Sequence, residues 1–441
     1  MSDLVHVIGA GLAGCEAAWQ IAQRGIQVVL VEMKPKRMSP AHHSALFAEL
    51  VCSNSLRSDR IQNAVGLLKE EMRSLNSLIM QCADATRVPA GGALAVDRVG
   101  FSERVTNAIR NHPMIRVEER EADAIPEGIA VVAGGPLASD RLCEAISALE
   151  GVGTLNFYDA AAPIVTKASI DMSKVFRASR YDRDGGADYL NCPMNRETYF
   201  RFVDALVHAE TVEVHGFEEN KVFEGCMPVE SMAKRGPMTL AYGPLKPAGL
   251  KKHMDEPLFA NVQLRQDDAG DTMYNLVGFQ TRLKFPEQKR VFGMIPGLEK
   301  AEFVRYGVMH RNTFLHSPGF LSPQFETLSR PGLFFAGQIT GVEGYVESAA
   351  SGLYAGICAA RRVQRKPLPE FGRKTAIGAL GAYVSAANRE FQPMNITFSL
   401  MEPAETPIKD KAKRTAYLAE RALQQVENIK KEYELEVNTC H

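Results

Sequence analysis

The sequence predicts an α/β fold, with a parallel sheet assembled from both ends of the chain and an α+β domain inserted between them. Three observations carry this. Residues 3–8 read as a buried strand running into a glycine turn, a helix over 12–24 and a second buried strand over 26–31. That is the length a parallel β–α–β pair needs. Strand-then-turn character returns only at 332–337, followed by an Ala- and Gly-rich helix over 348–362. Between them, residues 158–325 hold many Pro, Gly, Met and Arg residues with short strand-like runs such as 273–277.

Taken in order, Gly25 closes the first helix as a C-cap. Residues 33–60, rich in Pro, Ser, His and Asn, read as irregular. Helical spacing resumes over 65–83 and again over 101–111, and short strands are predicted at 115–118 and 129–133. The last of these meets Gly134-Gly135-Pro136, a step that brings backbone close to a ligand. Mixed charges at helical spacing predict a helix over 409–436. The expected division is 1–157 for the first part of the nucleotide domain, 158–325 for the insertion, 326–370 for the second part and 371–441 for a C-terminal helical segment.

The chain has 441 residues, is 45% hydrophobic and 23% charged, and carries a formal net charge of −1. No apolar run reaches the roughly 18 residues a membrane span needs. The apolar stretch at the start runs straight into the glycine turn with no basic region before it, so a cytoplasmic protein is expected. Neutral net charge gives no global sign of a nucleic-acid partner. Local patches do exist, around Arg282, Lys284, Lys289 and Arg290, and around Arg361, Arg362, Arg365 and Lys366. The eight cysteines, at 15, 52, 82, 143, 192, 226, 358 and 440, show neither CxxC pairing nor metal-type spacing. In a reducing compartment they are free thiols.

The glycine turn is Gly9-Ala10-Gly11-Leu12-Ala13-Gly14. Gly9 permits the tight turn, Gly11 lets backbone approach a pyrophosphate, and Gly14 lets helix pack on strand. The pyrophosphate then sits on the helix N-terminus. Glu32 ends the second strand, where a carboxylate accepts hydrogen bonds from ribose hydroxyls. The second piece, at 330–338, ends in Gly337-Gln338, with Gln338 where Asp is common in two-dinucleotide-domain flavoproteins. A helix start following it can stabilise negative charge on a reduced ring. Two halves so far apart favour FAD over NAD, and the domain reads as a Rossmann-like FAD-binding domain of that type. No second GxGxxG is present, so any nicotinamide cofactor docks transiently. His42 and His43, in the loop after Glu32, read as surface histidines.

Six segments then recur in an order that carries a family resemblance. They are GAGLAGCEAAWQ (9–20), ELVCSNSLRS (49–58), FRASRY (176–181), YLNCPMNRETY (189–199), FEGCMPVESMAKRGPMTLAYGPLKPAGL (223–250) and GQITGVEGYVESAASGLYAG (337–356). Together they resemble the TrmFO family of folate- and FAD-dependent tRNA uracil-5-methyltransferases, over nearly the whole chain. GidA/MnmG is a larger relative that shares the FAD frame. The resemblance implies a carbon drawn from 5,10-methylenetetrahydrofolate, reducing power from NAD(P)H through FAD, and the T-loop uridine at position 54 of tRNA as target.

The chemistry makes its own demand. Uracil C5 is a poor nucleophile until a thiolate adds at C6, so a reactive cysteine is needed, and a proton acceptor for C5–H. Cys226, in Glu-Gly-Cys-Met-Pro, is the candidate nucleophile, and Cys52, in Val-Cys-Ser-Asn-Ser, the candidate partner thiol or base. Cys192 and Cys15 read as structural. A uridine stacked in folded RNA must also be extruded. Three rivals stay open: the same chemistry on ribosomal RNA, a small-molecule flavin oxidoreductase with no RNA partner, and a non-catalytic flavoprotein scaffold. Neither a membrane nor an obligate protein partner is expected.

Overall fold

The computed structural model describes residues 4–39, 41–149, 151–152, 154–160, 162–180, 187–212, 227–250, 258–388 and 391–436. The chain opens with β1 (Leu4–Ile8), α1 (Leu12–Ala22) and β2 (Gln27–Glu32). A small antiparallel sheet follows, from β3 (Ser55–Ser58), β4 (Arg87–Val88) and β5 (Ala93–Val96), with α2 (Ala64–Ser74) and α3 (Leu78–Ala85) between β3 and β4. Then come α4 (Arg98–Asn111), β6 (Ile115–Glu119), β7 (Ala130–Val132) and α5 (Asp140–Ser147).

Strand β8 (Thr154–Ala160) leads into the middle of the chain, and its antiparallel partner β15 (Met309–Leu315) leads out. Between them lie β9 (Ile164–Thr166), β10 (Phe176–Arg177), β11 (Tyr189–Met194), β12 (Ala260–Gln266), β13 (Met273–Leu276) and β14 (Phe303–Arg305). These form one antiparallel sheet in the order β10-β11-β12-β13-β9-β14. Helices α6 (Arg196–Val207), α7 (Val229–Lys234), α8 (Thr239–Tyr242) and α9 (Phe285–Phe292) cover it around a core that includes Tyr199, Phe202, Phe279 and Phe292. The chain ends with β16 (Leu333–Phe335), α10 (Tyr345–Val363), α11 (Ala376–Ser385) and α12 (Lys411–Glu432).

The parallel sheet runs β16-β7-β1-β2-β6, so a strand from the C-terminal third closes one edge of a sheet begun at the N-terminus. Alternate residues point to opposite faces. Val5, Val7, Val28, Leu30, Val131 and Phe334 face the core under α1 and α10, whereas Ile8, Val29, Val31, Val132 and Phe335 face a second core with Leu142 and Ile146 of α5. Burial on both faces is why these strands read as continuous apolar runs.

Helix α10 lies on α1 at backbone distance. A Cβ built on Gly352 would sit 2.1 Å from the Ala13 carbonyl oxygen, and one on Gly356 2.7 Å from that of Ala17. The Ala- and Gly-rich composition of α10 is the requirement of this contact.

The sequence reading departs from the structure in a few places. The helix expected over 65–83 is two helices, broken where Asn76 takes a left-handed φ of 59° and Ser77 caps α3 by accepting from Met80 N. The apolar spacing continues across the break, which hid it. The stretch 33–60 is irregular except for β3, and β4, β5 and α5 were too short to show a period.

Two predictions follow from this packing. In an open helix Gly→Ala stabilises by about 1 kcal/mol. Gly352→Ala, with backbone in its way, is expected to destabilise by about 1–3 kcal/mol, read as a lower urea midpoint at unchanged slope. The second concerns Glu71, which accepts from Ala376 N (2.7 Å) and Ile377 N (2.9 Å) at the start of α11. Burial raises its pKa from 4.5 to about 8. The folded state therefore binds this proton more tightly than the unfolded state between those values. The stability it contributes is complete below the unfolded pKa and is lost as pH rises through the folded one. Glu71→Gln is expected to flatten the fall in stability across pH 4.5–8 by up to about 1.4 kcal/mol per pH unit.

Candidate functional site

A groove of about 1030 Å³ runs along the C-terminal ends of the parallel strands. Its floor is the turn from β1 into α1. Gly9 has a φ of +94°, and a Cβ there would lie 2.4 Å from the Ala133 oxygen. A Cβ on Gly14 would lie 1.8 Å from the Gly9 oxygen. Both glycines are demanded by the protein itself. Gly11 is different: its φ of −74° suits any residue and a Cβ would meet nothing within 4 Å. Its missing side chain leaves room in the groove. Gly11 is also the N-cap of α1, with no side-chain cap and no acid in the first turn, so the first N–H groups remain available to an anion.

Glu32, at the end of β2, is 6% exposed and lines the groove. One oxygen accepts from Ala10 N at 2.6 Å and the other from Lys34 N at 2.9 Å. Each oxygen keeps a second acceptor position for a ligand hydroxyl. The opposite wall is Gly134, Gly135 and Pro136 after β7, and the far end is Gly337, Gln338, Tyr345 and Ser348. Gly337 has a φ of 87°, and Gln338 donates to Glu343 at 2.6 Å. Helix α10 also begins without a side-chain cap. A cradle with an uncapped helix at each end, a ribose-type acid and a wall of glycines fits an extended dinucleotide such as FAD. Gly9 to Gly14 and Glu32 would hold its nucleotide half, and Gly337, Gln338, Tyr345 and Ser348 its other end.

Cys52 stands at this far end, beside the groove-lining Val51. It is half-buried. The Tyr345 hydroxyl accepts from Cys52 N at 2.7 Å, and burial pushes that phenol's pKa up. Arg98 and Arg265 lie within electrostatic reach of Cys52. Arg98 is clamped on Asp267 through two bonds of 2.8 and 3.0 Å, and it also donates to the Leu50 oxygen. Arg265 donates to Asn54 at 2.9 Å and to Ser53 at 2.6 Å. Asn54 in turn donates to the carbonyls of Val96 and Gln266. Further along, Arg57, at a left-handed φ of 62°, pairs with fully buried Glu347 of α10, which also accepts from Ile396 N at 2.9 Å. The loop carrying Cys52 is thus fastened both to β12 and to the first turn of α10.

Cys226 lies outside the described residues. Cys15, Cys192 and Cys358 are fully buried, and burial raises the pKa of each. The Cys82 thiol is pushed up to about 12. His42 lines the groove, whereas His43 is exposed and lines a neighbouring cavity. In the patch at 361–366, Arg361 is buried and donates to the Tyr433 carbonyl at 2.6 Å, whereas Arg362, Arg365 and Lys366 are exposed, Arg362 pairing with Glu326 at 2.6 Å and Lys366 with Glu434 at 3.3 Å. Tyr345, Glu347, Arg57, Arg98 and Arg265 were not foreseen as site residues. Tyr345, Glu347 and Arg57 sit inside the quoted segments 49–58 and 337–356.

Groove and sheet together define a two-dinucleotide-domain flavoprotein frame. Comparison with known proteins narrows this. The family model "GIDA: Glucose inhibited division protein A" matches residues 4–367. A protein of Acetivibrio thermocellus named methylenetetrahydrofolate–tRNA-(uracil-5-)-methyltransferase TrmFO is 60% identical over 98% of this chain and 99% of its own. A protein of the same name from Anoxybacillus flavithermus is 58% identical over 97% and 99%. Among solved structures, Aquifex aeolicus GidA matches with a TM-score of 0.70 at 16% identity, covering 98% of this chain and 76% of that one. The chain belongs to the GidA family, and within it to the TrmFO proteins.

Gly11 and Gly14 differ in what a side chain would meet. Gly11→Val is expected to leave the melting temperature of the flavin-free protein unchanged while abolishing bound flavin absorbance near 450 nm. Gly14→Val, which meets backbone, is expected to fail to fold.

Proposed function

We propose that this protein methylates C5 of the T-loop uridine at position 54 of tRNA, with a carbon from 5,10-methylenetetrahydrofolate and electrons from NAD(P)H. The observation that supports this most is the placement of Cys52, half-buried at the far end of the groove and held through its own backbone by Tyr345. The near full-length likeness to proteins named for this reaction supports the substrate classes. Among the described residues no helix is long and apolar enough to cross a membrane.

When bound, FAD supplies the two electrons that bring the transferred carbon to the methyl level. The chain's own part is to activate the pyrimidine. A thiolate adding to C6 breaks the 5,6-double bond and makes C5 a carbanion-like nucleophile. Cys226 takes that role, and Cys52 serves as the second thiol or as the base that removes the C5 proton after the carbon is joined. Loss of that proton restores the double bond and expels the thiolate. Arg98 and Arg265 lie within electrostatic reach of Cys52 and carry positive charge on its side of the loop. Their carboxylate and amide clamps keep the two guanidinium groups in place as the sulfur changes charge.

The test is incubation of the flavin-loaded protein with unmodified tRNA transcript, NADPH and methylene-labelled tetrahydrofolate, and separately with labelled S-adenosylmethionine. Label is expected in 5-methyluridine from the folate arm alone. Cys226→Ala and Cys52→Ala should each lower it by at least about a hundredfold. No label on tRNA, with label on ribosomal RNA in a parallel incubation, would reassign the target. Steady NADPH oxidation with no RNA label would leave a small-molecule oxidoreductase.

A further inference from the structure

A second cavity, of about 1370 Å³, lies where α4 meets the six-stranded sheet, and Glu49 lines both it and the dinucleotide groove. Two of its lining rings, Phe285 and Tyr306, form one stack with Phe303. Tyr306 lies 5.1 Å from Phe303 at 12° between planes, and 4.6 Å from Phe285 at 18°. The last ring is open: Phe285 is 51% exposed, and its neighbour on the same cavity, Val304, is 54% exposed. An apolar surface left uncovered at the end of a ring stack and rimmed by charge marks a place where something docks.

The charges narrow what docks there. The lining carboxylates are Glu49, Asp97, Asp267 and Asp268, against Arg98 and Arg305, and Arg98 is already held by Asp267. This balance repels phosphates and carboxylates and admits a neutral ring. Arg305 keeps a buried Nε–H that meets no acceptor among the described residues, a donor suited to a ring carbonyl. Basic residues lie just outside. Lys284 caps α9, and Lys289 falls four residues after Phe285, on the same helix face. Lys284 pairs with Glu210 and Arg290 with Glu287 at the surface, where ion pairs are weak and yield to a phosphate.

We infer that this shelf receives a nucleobase of the RNA substrate, a neighbour of the target uridine, stacked on Phe285 while its backbone runs over the basic start of α9. The inference rests on the RNA reading above. It gives the extruded strand a second hold beside the groove, on the wall that Glu49 shares.

The experiment is filter binding of unmodified tRNA transcript to the flavin-loaded protein and its variants. Phe285→Ala is expected to weaken binding about tenfold, with the salt dependence unchanged because stacking releases no counterions. Phe285→Tyr, which keeps a ring, should stay within about twofold of wild type. Flavin content and melting temperature report folding. If Phe285→Ala does not fold, Phe285→Leu makes the same comparison without a ring. Wild-type affinity in the ringless variant would overturn the shelf. So would unchanged RNA affinity with a raised KM for methylenetetrahydrofolate, which would put the folate ring there instead. Failure of the wild type itself to bind tRNA would remove the RNA reading and the shelf with it, an outcome distinct from the other two.

Discussion

The close contact between α1 and α10 is the constraint on which the rest depends. Helix axes at this separation leave no room for a side chain at Gly352 or Gly356. The same economy recurs at Gly14 on the Gly9 carbonyl and at Gly337 against the Ala13 methyl. All of these contacts converge on the first two turns of α1. They bring the N-terminus of α1 and that of α10 onto one groove, although the two helices lie far apart in sequence. An extended two-ended ligand is the natural occupant of such a groove, since neither helix end carries a side-chain cap.

The Cys52 loop inherits its position from that contact. Tyr345 and Glu347 are the first and third residues of α10, and they hold Cys52 and Arg57 of the loop. From the other side, Arg98–Asp267 and Arg265–Asn54 join the loop to the six-stranded sheet. Breaking a buried pair of this kind costs about 3–5 kcal/mol, because a desolvated charge is left behind. Left-handed φ values at Ala48 and Arg57 bracket the loop, and non-glycine residues hold that conformation only where surrounding contacts impose it. A cysteine set on so constrained a segment is held in one place.

The frame was legible in the sequence and the clamp was not. Strands β1, β2, β7 and β16 are largely buried on both faces and so appear as near-continuous apolar runs, and the glycine turn announces the helix between the first two. Cys52 could be singled out because a quoted segment carries it. Its partners could not, since Arg98, Arg265 and Tyr345 reach it only through tertiary packing across some 46 to 293 residues. The break between α2 and α3 left a trace in Asn76-Ser77, a left-handed residue followed by a cap. The apolar period running through Leu75, Leu78 and Ile79 masked it. Within the basic patch at 361–366, Arg361 turned inward, because guanidinium groups also satisfy buried carbonyls, and composition does not tell the two uses apart.

The sheet order has a consequence for how the protein is made. Strand β7 lies beside β1 soon after synthesis begins, but its other neighbour, β16, starts at Leu333. At about 5–20 residues per second, the nascent chain waits on the order of 15–60 s between the emergence of α1 and that of its covering helix. Throughout that interval the small-residue face of α1 and one edge of a hydrophobic parallel sheet stand open on the ribosome, a risk that chaperones exist to meet. The intervening antiparallel sheet, with a core of its own, has time to form first. Cofactor capture therefore belongs to the final stage of maturation, once α10 has closed over α1.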